Sequence, residues 1–303
     1  MDRLEAMSIL VATVEKGSFT AASKALKIPL ATVSRKVGEL ETHLGAQLLL
    51  RTTRKLSLTD AGRAYVAASR RILEDVGEAE RVVTGEYDTP SGELVLTAPV
   101  LFGRLHLLPV IADFLAAYPD ITVRLSLSDR NLHLLDDHVD MAVRIGALPD
   151  SGMIATRIGS MRTVVCASPK LLDGHGAPDR PEDLVAMPCI SFEFLAGGAD
   201  VWIFRRPGGA GTINLPVTPR LSVTTAEAAV WAASQGVGAT RVLHYQCAEA
   251  VRAGALRILL PDFEPASQPI HLTHAARSVL PLKMRSFLDF ASERLRRSLD
   301  GLG

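Results

Sequence analysis

Cysteine is scarce in this chain of 303 residues: Cys166, Cys189 and Cys247 are the only three, and they stand far apart. That spacing supplies neither a disulfide framework nor a zinc site. A net charge is missing too, since Lys plus Arg and Asp plus Glu number 33 each. The overall balance therefore favours no acidic or basic partner. No apolar run approaches the ~18 residues of a membrane helix. The opening Met1-Asp2-Arg3-Leu4-Glu5 has neither the basic nor the apolar part of a secretory signal. A cytoplasmic location without a membrane partner is the expectation.

Catalytic sets are equally thin. His133, Asp136, Asp137 and His138 form the one cluster of histidine and carboxylate. Its two histidines are spaced for opposite sides of a helix, so a solvated helix is expected there and no metal site. The run RRPGGAGT (205–212) lacks the Lys-Ser/Thr ending of a phosphate loop and follows no clear strand, which leaves a flexible loop. Cys166 falls inside an expected strand and reads as an inert buried thiol. No nucleophile stands beside a base. Neither an enzyme nor a cofactor is expected.

What the chain does have is the composition of an ordinary globular protein, 48% hydrophobic and 22% charged, with length for two domains or a little more. Charge is arranged locally. From Lys24 to Lys55 there are seven basic residues against two acidic ones, whereas from Leu56 to Pro90 there are four against seven. A basic segment followed by an acidic one suits a DNA-contacting module and a solvated connector.

Leu4, Met7, Val11 and Val14 recur at three- and four-residue steps and predict a first helix, ended by Gly17. Ser18 then caps a second, Phe19 to Lys27, with Phe19, Ala22, Ala25 and Leu26 inward. A third runs from Pro29, as first helical residue, to Leu44, with Val33, Val37, Leu40 and Leu44 inward and Gly45 as left-handed cap. Two short helices and a tight turn make a helix-turn-helix whose second helix can enter the major groove. Its outward face offers Thr32, Ser34, Arg35 and Lys36, and arginine there can pair bidentately with guanine. In QLLLRTTRKLSLTDAG (47–62), two apolar stretches flank Arg51-Thr52-Thr53-Arg54-Lys55. That pattern predicts a two-stranded wing whose tip holds phosphates. A plain solvated turn is the alternative. From Thr59 to Glu86 a helix of roughly 40 Å is expected at 1.5 Å per residue. Its narrow stripe of Ala61, Tyr65, Ala68, Ile72, Val76, Ala79 and Val83 reads as a dimer seam, against the alternative of packing on its own domain.

Residues 17–62 resemble the winged helix-turn-helix of LysR-type transcription regulators. The resemblance is carried by Ser18-Phe19-Thr20-Ala21-Ala22, Val33-Ser34-Arg35, Leu40-Glu41, Leu44-Gly45, Leu48-Leu49, Arg51 and Leu58-Thr59-Asp60-Ala61-Gly62. One departure stands out: Pro29-Leu30 replaces the Ser-Gln that usually opens the recognition helix, removing a side-chain cap and a base-reading amide. The residues expected on DNA are Ser18, Thr20, Thr32, Ser34, Arg35, Lys36, Arg51, Thr52, Thr53 and Arg54.

Beyond Thr89-Pro90-Ser91-Gly92, β and α patterns alternate. Strands are expected at 92–99, 121–128, 140–146, 162–169 and 269–275. Helices are expected from Pro99 to Tyr118, around Leu132 to Asp137, and from Pro281 to Leu299. Such alternation predicts a mixed or parallel sheet covered by helices. Ligands of such sheets bind beyond the carboxyl ends of strands, where helices begin. Two helix starts qualify, Thr97-Ala98-Pro99-Val100 and the capping box Thr224-Thr225-Ala226-Glu227, whose helix runs through Gln235. Their free N–H groups suit an anion, although caps often do no more than finish helices. The region 92–303 is similar to the LysR-type effector domain, itself like periplasmic solute-binding proteins, through 98–107, 127–131, 139–151 and 166–172.

The resemblance implies an α+β multi-domain chain: a winged helix-turn-helix (1–58), a long linker and dimerisation helix (59–88), and a two-lobed periplasmic-binding-protein-like α/β effector domain (92–303). Lobe I would comprise 92–163 with 268–303, and lobe II 164–267. Thr97, Val100, Arg144, Ile145, Gly146, Thr224 and Thr225 would line the cleft, with Phe192 and Trp202 as weaker candidates. A small carboxylate is the expected effector. If Arg144 instead pairs with a carboxylate such as Asp140, a neutral apolar ligand fits. Double-stranded DNA with a pseudo-palindromic operator, the effector and the chain itself, as dimers pairing into tetramers, are the implied partners. A transport receptor or a ligand-independent architectural DNA protein are the other classes. The missing signal counts against the first, and the long receptor region against the second.

Overall fold

The computed structural model describes residues 1–51, 56–84, 89–129, 139–148, 152–192, 201–208, 211–276 and 280–300, with the backbone alone at 51, 78–79 and 81–84. It falls into two compact units, Met1–Thr89 and Pro90–Gly303.

The first unit contains α1 (Arg3–Glu15), α2 (Phe19–Leu26), α3 (Leu30–Leu44), β1 (Leu49–Arg51), β2 (Leu56–Leu58) and α4 (Asp60–Thr84). Asp2 caps α1 by accepting from the Leu4 and Glu5 N–H groups. The helix buries Ala6, Ile9, Leu10 and Thr13, while Leu4 of the expected stripe is exposed. The cause is position: α1 packs against α2, α3 and α4 together, and a helix covered on several sides has no single stripe. In α2, Ala22 is buried but Ala25 is exposed. It stands about 100° of helical rotation from Leu26 and so leaves the inward row. In α3, Val33, Val37 and Leu40 are buried, whereas Leu44, in the last turn, is exposed.

Between α2 and α3 the chain turns on Lys27, which is left-handed at φ 56°, and the Ser23 hydroxyl donates to the Ile28 carbonyl at 2.6 Å. Pro29 is the residue before α3 rather than its first, and it makes no side-chain cap. Its carbonyl accepts from Thr32 and Val33 instead. β1 and β2 pair antiparallel as the wing. A Glu41 oxygen accepts from the Leu48 and Leu49 N–H groups at 2.8 and 3.0 Å, fastening α3 to β1. Thr59 caps α4, its hydroxyl accepting from Gly62 N–H at 2.9 Å and donating to the Gln47 carbonyl at 2.7 Å.

The second unit begins β3 (Gly92–Ala98), α5 (Val100–Phe102), five π-helical residues (Gly103–Leu107), α6 (Leu108–Ala117), β4 (Ile121–Leu127), β5 (Met141–Ile145) and β6 (Met153–Met161). It continues with β7 (Thr163–Ala167), α7 (Pro169–His175), β8 (Cys189–Phe192), β9 (Val201–Arg205), β10 (Thr212–Pro216) and β11 (Pro219–Val223). Last come α8 (Ala226–Ser234), β12 (Ala239–Leu243), α9 (His244–Arg252), β13 (Arg257–Leu259), β14 (Gln268–Ala275) and α10 (Leu282–Leu299). One five-stranded sheet has the order β4-β3-β5-β14-β6 and the other β11-β8-β12-β7-β13. In the first, β3 runs parallel to β4 and β5, while β14 is antiparallel to β5 and β6. In the second, β8, β11 and β12 are parallel and β7 is antiparallel to β12.

Two further expectations need correction. The helical run Val100–Ala117 is apolar and long enough to cross a membrane by length and composition. Its Phe102, Leu107, Ile111 and Phe114 are instead buried in the core of the first sheet. The glycine-rich segment 205–212 also follows a strand after all, since it joins the antiparallel hairpin β9–β10. A phosphate loop would lead from strand to helix, so its absence stands on topology as well. The expected helix 132–137, with His133, Asp136, Asp137 and His138, lies outside the described residues.

Candidate DNA-reading face and effector cleft

On α3, Arg35 is exposed and paired with Glu39 one turn on, while Thr32 and Ser34 are half-buried. Lys36 is different. Its side chain is only 15% exposed and its ammonium is engaged by Glu5, so it ties α3 to α1. Ser18 accepts from Ala21 N–H at 3.0 Å as cap of α2, and Thr20 is exposed. The side chain of Arg51, and Thr52, Thr53 and Arg54, lie outside the described residues. Sequence reasoning gave Glu41 no task, although the fixed Leu40-Glu41 pair was a visible signal.

In the second unit, parallel pairing ends β3, β4 and β5 on one edge of their sheet, and β8, β11 and β12 on one edge of theirs. These edges face one another. Leu243 ends β12 and Tyr245 follows it, yet both are buried in the first sheet's core. Phe102, four residues past β3, meets the Tyr245 ring edge-on at 5.8 Å, and His106 joins them at 5.0 and 5.7 Å. Arg104 bridges to Glu227 at 2.6 Å. Where the chain crosses between sheets, Arg162 grips Glu264 through two bonds of 2.7 and 2.8 Å.

The cleft residues expected from sequence therefore divide between facing edges. Thr97, Val100, Arg144, Ile145 and Gly146 close strands of the first sheet, and Thr224 and Thr225 follow the second sheet's β11. Thr97 is buried and its hydroxyl gives its proton to the Ser126 carbonyl at 2.8 Å. The Val100 N–H, expected to be free for a ligand, donates to Asp129 Oδ1 at 3.0 Å. Asp129 lies in the quoted 127–131 motif, but no local pattern announces a bond to a helix start 29 residues away. At the other edge Thr225 caps α8 by accepting from Ala228 N–H at 3.3 Å. Burial pulls Arg144 and His106 below their usual pKa values. It pushes the Tyr245 phenol up, and the charge of Asp129 adds to that shift. Phe192 and Trp202 are buried in the cores behind the second sheet, as structural aromatics are. Among the described residues no group of His, Cys, Asp and Glu could hold a metal ion.

Comparison with known proteins decides the family. Residues 4–63 match the bacterial regulatory helix-turn-helix protein, lysR family, and residues 88–296 match the LysR substrate binding domain. The chain belongs to the LysR family. It is 35% identical over 293 residues to an HTH-type transcriptional repressor of Pseudomonas aeruginosa, covering 97% of this chain and 92% of the relative. Among solved structures, the LysR-type regulator CrgA of Neisseria meningitidis is 30% identical, covering 96% and 98% of the two chains with a TM-score of 0.60. Full-length LysG of Corynebacterium glutamicum, with bound effector Arg, is 25% identical, covering 97% and 99% with a TM-score of 0.56. This LysR-type regulator thus joins a helix-turn-helix DNA-binding domain to an effector-binding domain. It is a transcription regulator, not an enzyme.

Proposed function

We propose that this regulator binds its operator through α3 and the wing, and that a small carboxylate lodged between the two sheets controls it. The observation that carries the ligand half is the meeting of two strand-end edges, since ligands of open α/β sheets sit beyond the carboxyl ends of strands. The two edges are not equivalent. Asp129 already holds the Val100 N–H, and Thr97 has spent its proton, so an incoming anion meets a negative charge on the first sheet. The ligand's carboxylate faces Thr224, Thr225 and the start of α8, where main-chain N–H groups and the helix dipole favour it. Arg144, Ile145 and Gly146 approach from the first sheet. An amino acid, like the Arg effector of LysG, carries such a group.

In this reading lobe I comprises 92–163 with 268–303, lobe II 164–267, the DNA-binding domain 1–58 and the linker helix 59–88. A ligand touching both lobes favours the closed arrangement by its differential affinity. The protein works in the cytoplasm as a dimer, two of which pair into a tetramer on a pseudo-palindromic operator. Thermal-shift titration with carboxylates tests the site. Thr225→Val is expected to weaken binding about tenfold, the loss of one hydrogen bond to a charged group, and Thr97→Val to weaken it less. Affinity intact in both variants places the ligand elsewhere.

On DNA, Arg35 reads a base edge, Thr32 and Ser34 support it, Ser18 and Thr20 meet the backbone at the start of α2, and Arg51, Thr52, Thr53 and Arg54 hold phosphates. Arg35→Ala is expected to cost about 1–3 kcal/mol and to relax preference at one position per half-site. Arg54→Ala weakens binding to every sequence and flattens the salt dependence. Band-shift titrations on specific and random duplexes separate the two roles. Equal loss on both duplexes for Arg35→Ala removes its assignment as the reader.

A further inference from the structure

Arg241 is a buried cation with no acidic partner among the described residues. It sits on β12, the central strand of the second sheet, and is 9% exposed. Among the described residues its only hydrogen bond is from one terminal nitrogen to the Val201 carbonyl, at a long 3.4 Å, and its buried Nε has no partner. Its neighbours on that face of the sheet are apolar apart from the buried Ser191. Val165 stands opposite it in register, and Ala239, Trp202 and Phe204 pack in the core beneath. Burial brings its pKa down to about 10. A guanidinium has five donors, and an uncompensated buried charge costs several kcal/mol. The buried Thr163 hydroxyl on the neighbouring β7 also has no hydrogen-bond partner, but it is neutral; the arginine is a charge without a counter-charge among the described residues.

Its position says where a counter-charge would come from. Arg241 is two residues before Leu243, the strand end buried in the first sheet's core, so it lies about 7 Å from the cleft edge at 3.3 Å per residue. Thr240 pairs with Ile190 in parallel register, which puts Ser191 abreast of Arg241. The next parallel strand ends at Val223 and leads directly to Thr224 and Thr225. The cation therefore shares with the α8 helix start the same strand-end edge, the one that Asp129 does not guard.

We propose that Arg241 is the anion seat of the second sheet and takes the effector's carboxylate through its guanidinium. The inference rests on the interlobe reading above and deepens it, naming the residue that makes an acid, rather than its amide, the ligand. A charge that is costly in the empty protein becomes half of a charge-assisted pair when the ligand enters. The ligand-free state then tolerates loss of the arginine, and the bound state does not.

The test uses the full-length protein with acetate and benzoate as probes, and acetamide and benzamide as their uncharged counterparts. Wild type is expected to gain thermal stability with at least one acid and with neither amide. Arg241→Met is expected to melt higher than wild type without ligand, and to bind that acid about 100-fold more weakly, the scale of losing a buried charge partner. Arg241→Lys, which keeps the charge without the fork, should recover part of the affinity. An Arg241→Met protein that melts lower than wild type and responds to the acid as wild type does overturns the proposal. So does a wild type that responds to neither acid. Thr225→Val separates the two readings. If it loses the acid while Arg241→Met keeps it, the interlobe site stands and the arginine seat falls. If Arg241→Met loses it while Thr225→Val keeps it, the seat stands and the helix-start contact falls.

Discussion

Gly62→Ala should unfold the DNA-binding unit at temperatures where the effector-binding unit is still intact. A Cβ at Gly62 would lie 2.0 Å from the Leu48 carbonyl oxygen and 2.9 Å from its carbon. The obstacle is backbone, so no rotamer change relieves it. Leu48 is moreover held in place by Glu41 through its N–H and by Thr59 through its carbonyl. Moving either α4 or β1 breaks that arrangement and opens the contact of Val66 with the core of α1 and α3. A cost of about 3 kcal/mol or more is expected, at the upper end of overpacking. Calorimetry should show the lower transition falling by several degrees and the upper one unmoved. Two unchanged transitions would mean that α4 leaves β1 without consequence, and the account of the Thr59-Asp60-Ala61-Gly62 motif would be wrong.

Charging the outer stripe of α4 should dissociate the protein. Gly62, Val66 and Ser69 are buried against their own unit, whereas Ile72 is 40% exposed and Val76 is half-buried in the single chain. The helix thus serves its own domain in its first turns and presents an unfilled apolar row further on. Ile72→Asp with Val76→Asp would place two pairs of carboxylates across a two-fold seam. Unpaired charges there cost several kcal/mol. The dimer dissociation constant should rise at least about a thousandfold, roughly 4 kcal/mol. Sedimentation should report monomers at concentrations where wild type is assembled. An unchanged mass would remove this stripe from the interface.

The DNA-binding half was legible because its elements are local. Ser18 and Gly45, and Thr59 as cap of α4, act on groups within a few residues, and Val33, Val37 and Leu40 keep a clean helical period in a helix with one buried side. Where an element is covered on several sides the period dissolves, as in α1. The second sheet was hardest to read. Short strands such as Cys189–Phe192 and Ala239–Leu243 are buried along their whole length. Continuous apolar runs of that kind carry no alternation to recognise. The proposed cleft was half legible. Its two helix starts were visible as strand-to-helix junctions, but Asp129 on Val100 and the lone cation in ATRVL depend on contacts between distant segments. No spacing rule reports whether a buried arginine has found its partner.

The order of strands in the first sheet also bears on how the protein must be made. β5 and β6 follow one another in the chain but do not pair; β14 lies between them and hydrogen-bonds to both. During synthesis β5 and β6 wait for roughly a hundred more residues before their shared neighbour leaves the ribosome, about 5–20 s at ordinary elongation rates. The second sheet draws only on residues 163–259 and has emerged complete by then. The growing chain therefore carries a finished second sheet beside two open strand edges, the kind of surface on which nascent chains pair wrongly with one another. Chaperone demand and losses to inclusion bodies should concentrate in that interval, and a chain stopped before β14 should be insoluble even though most of its length is already present.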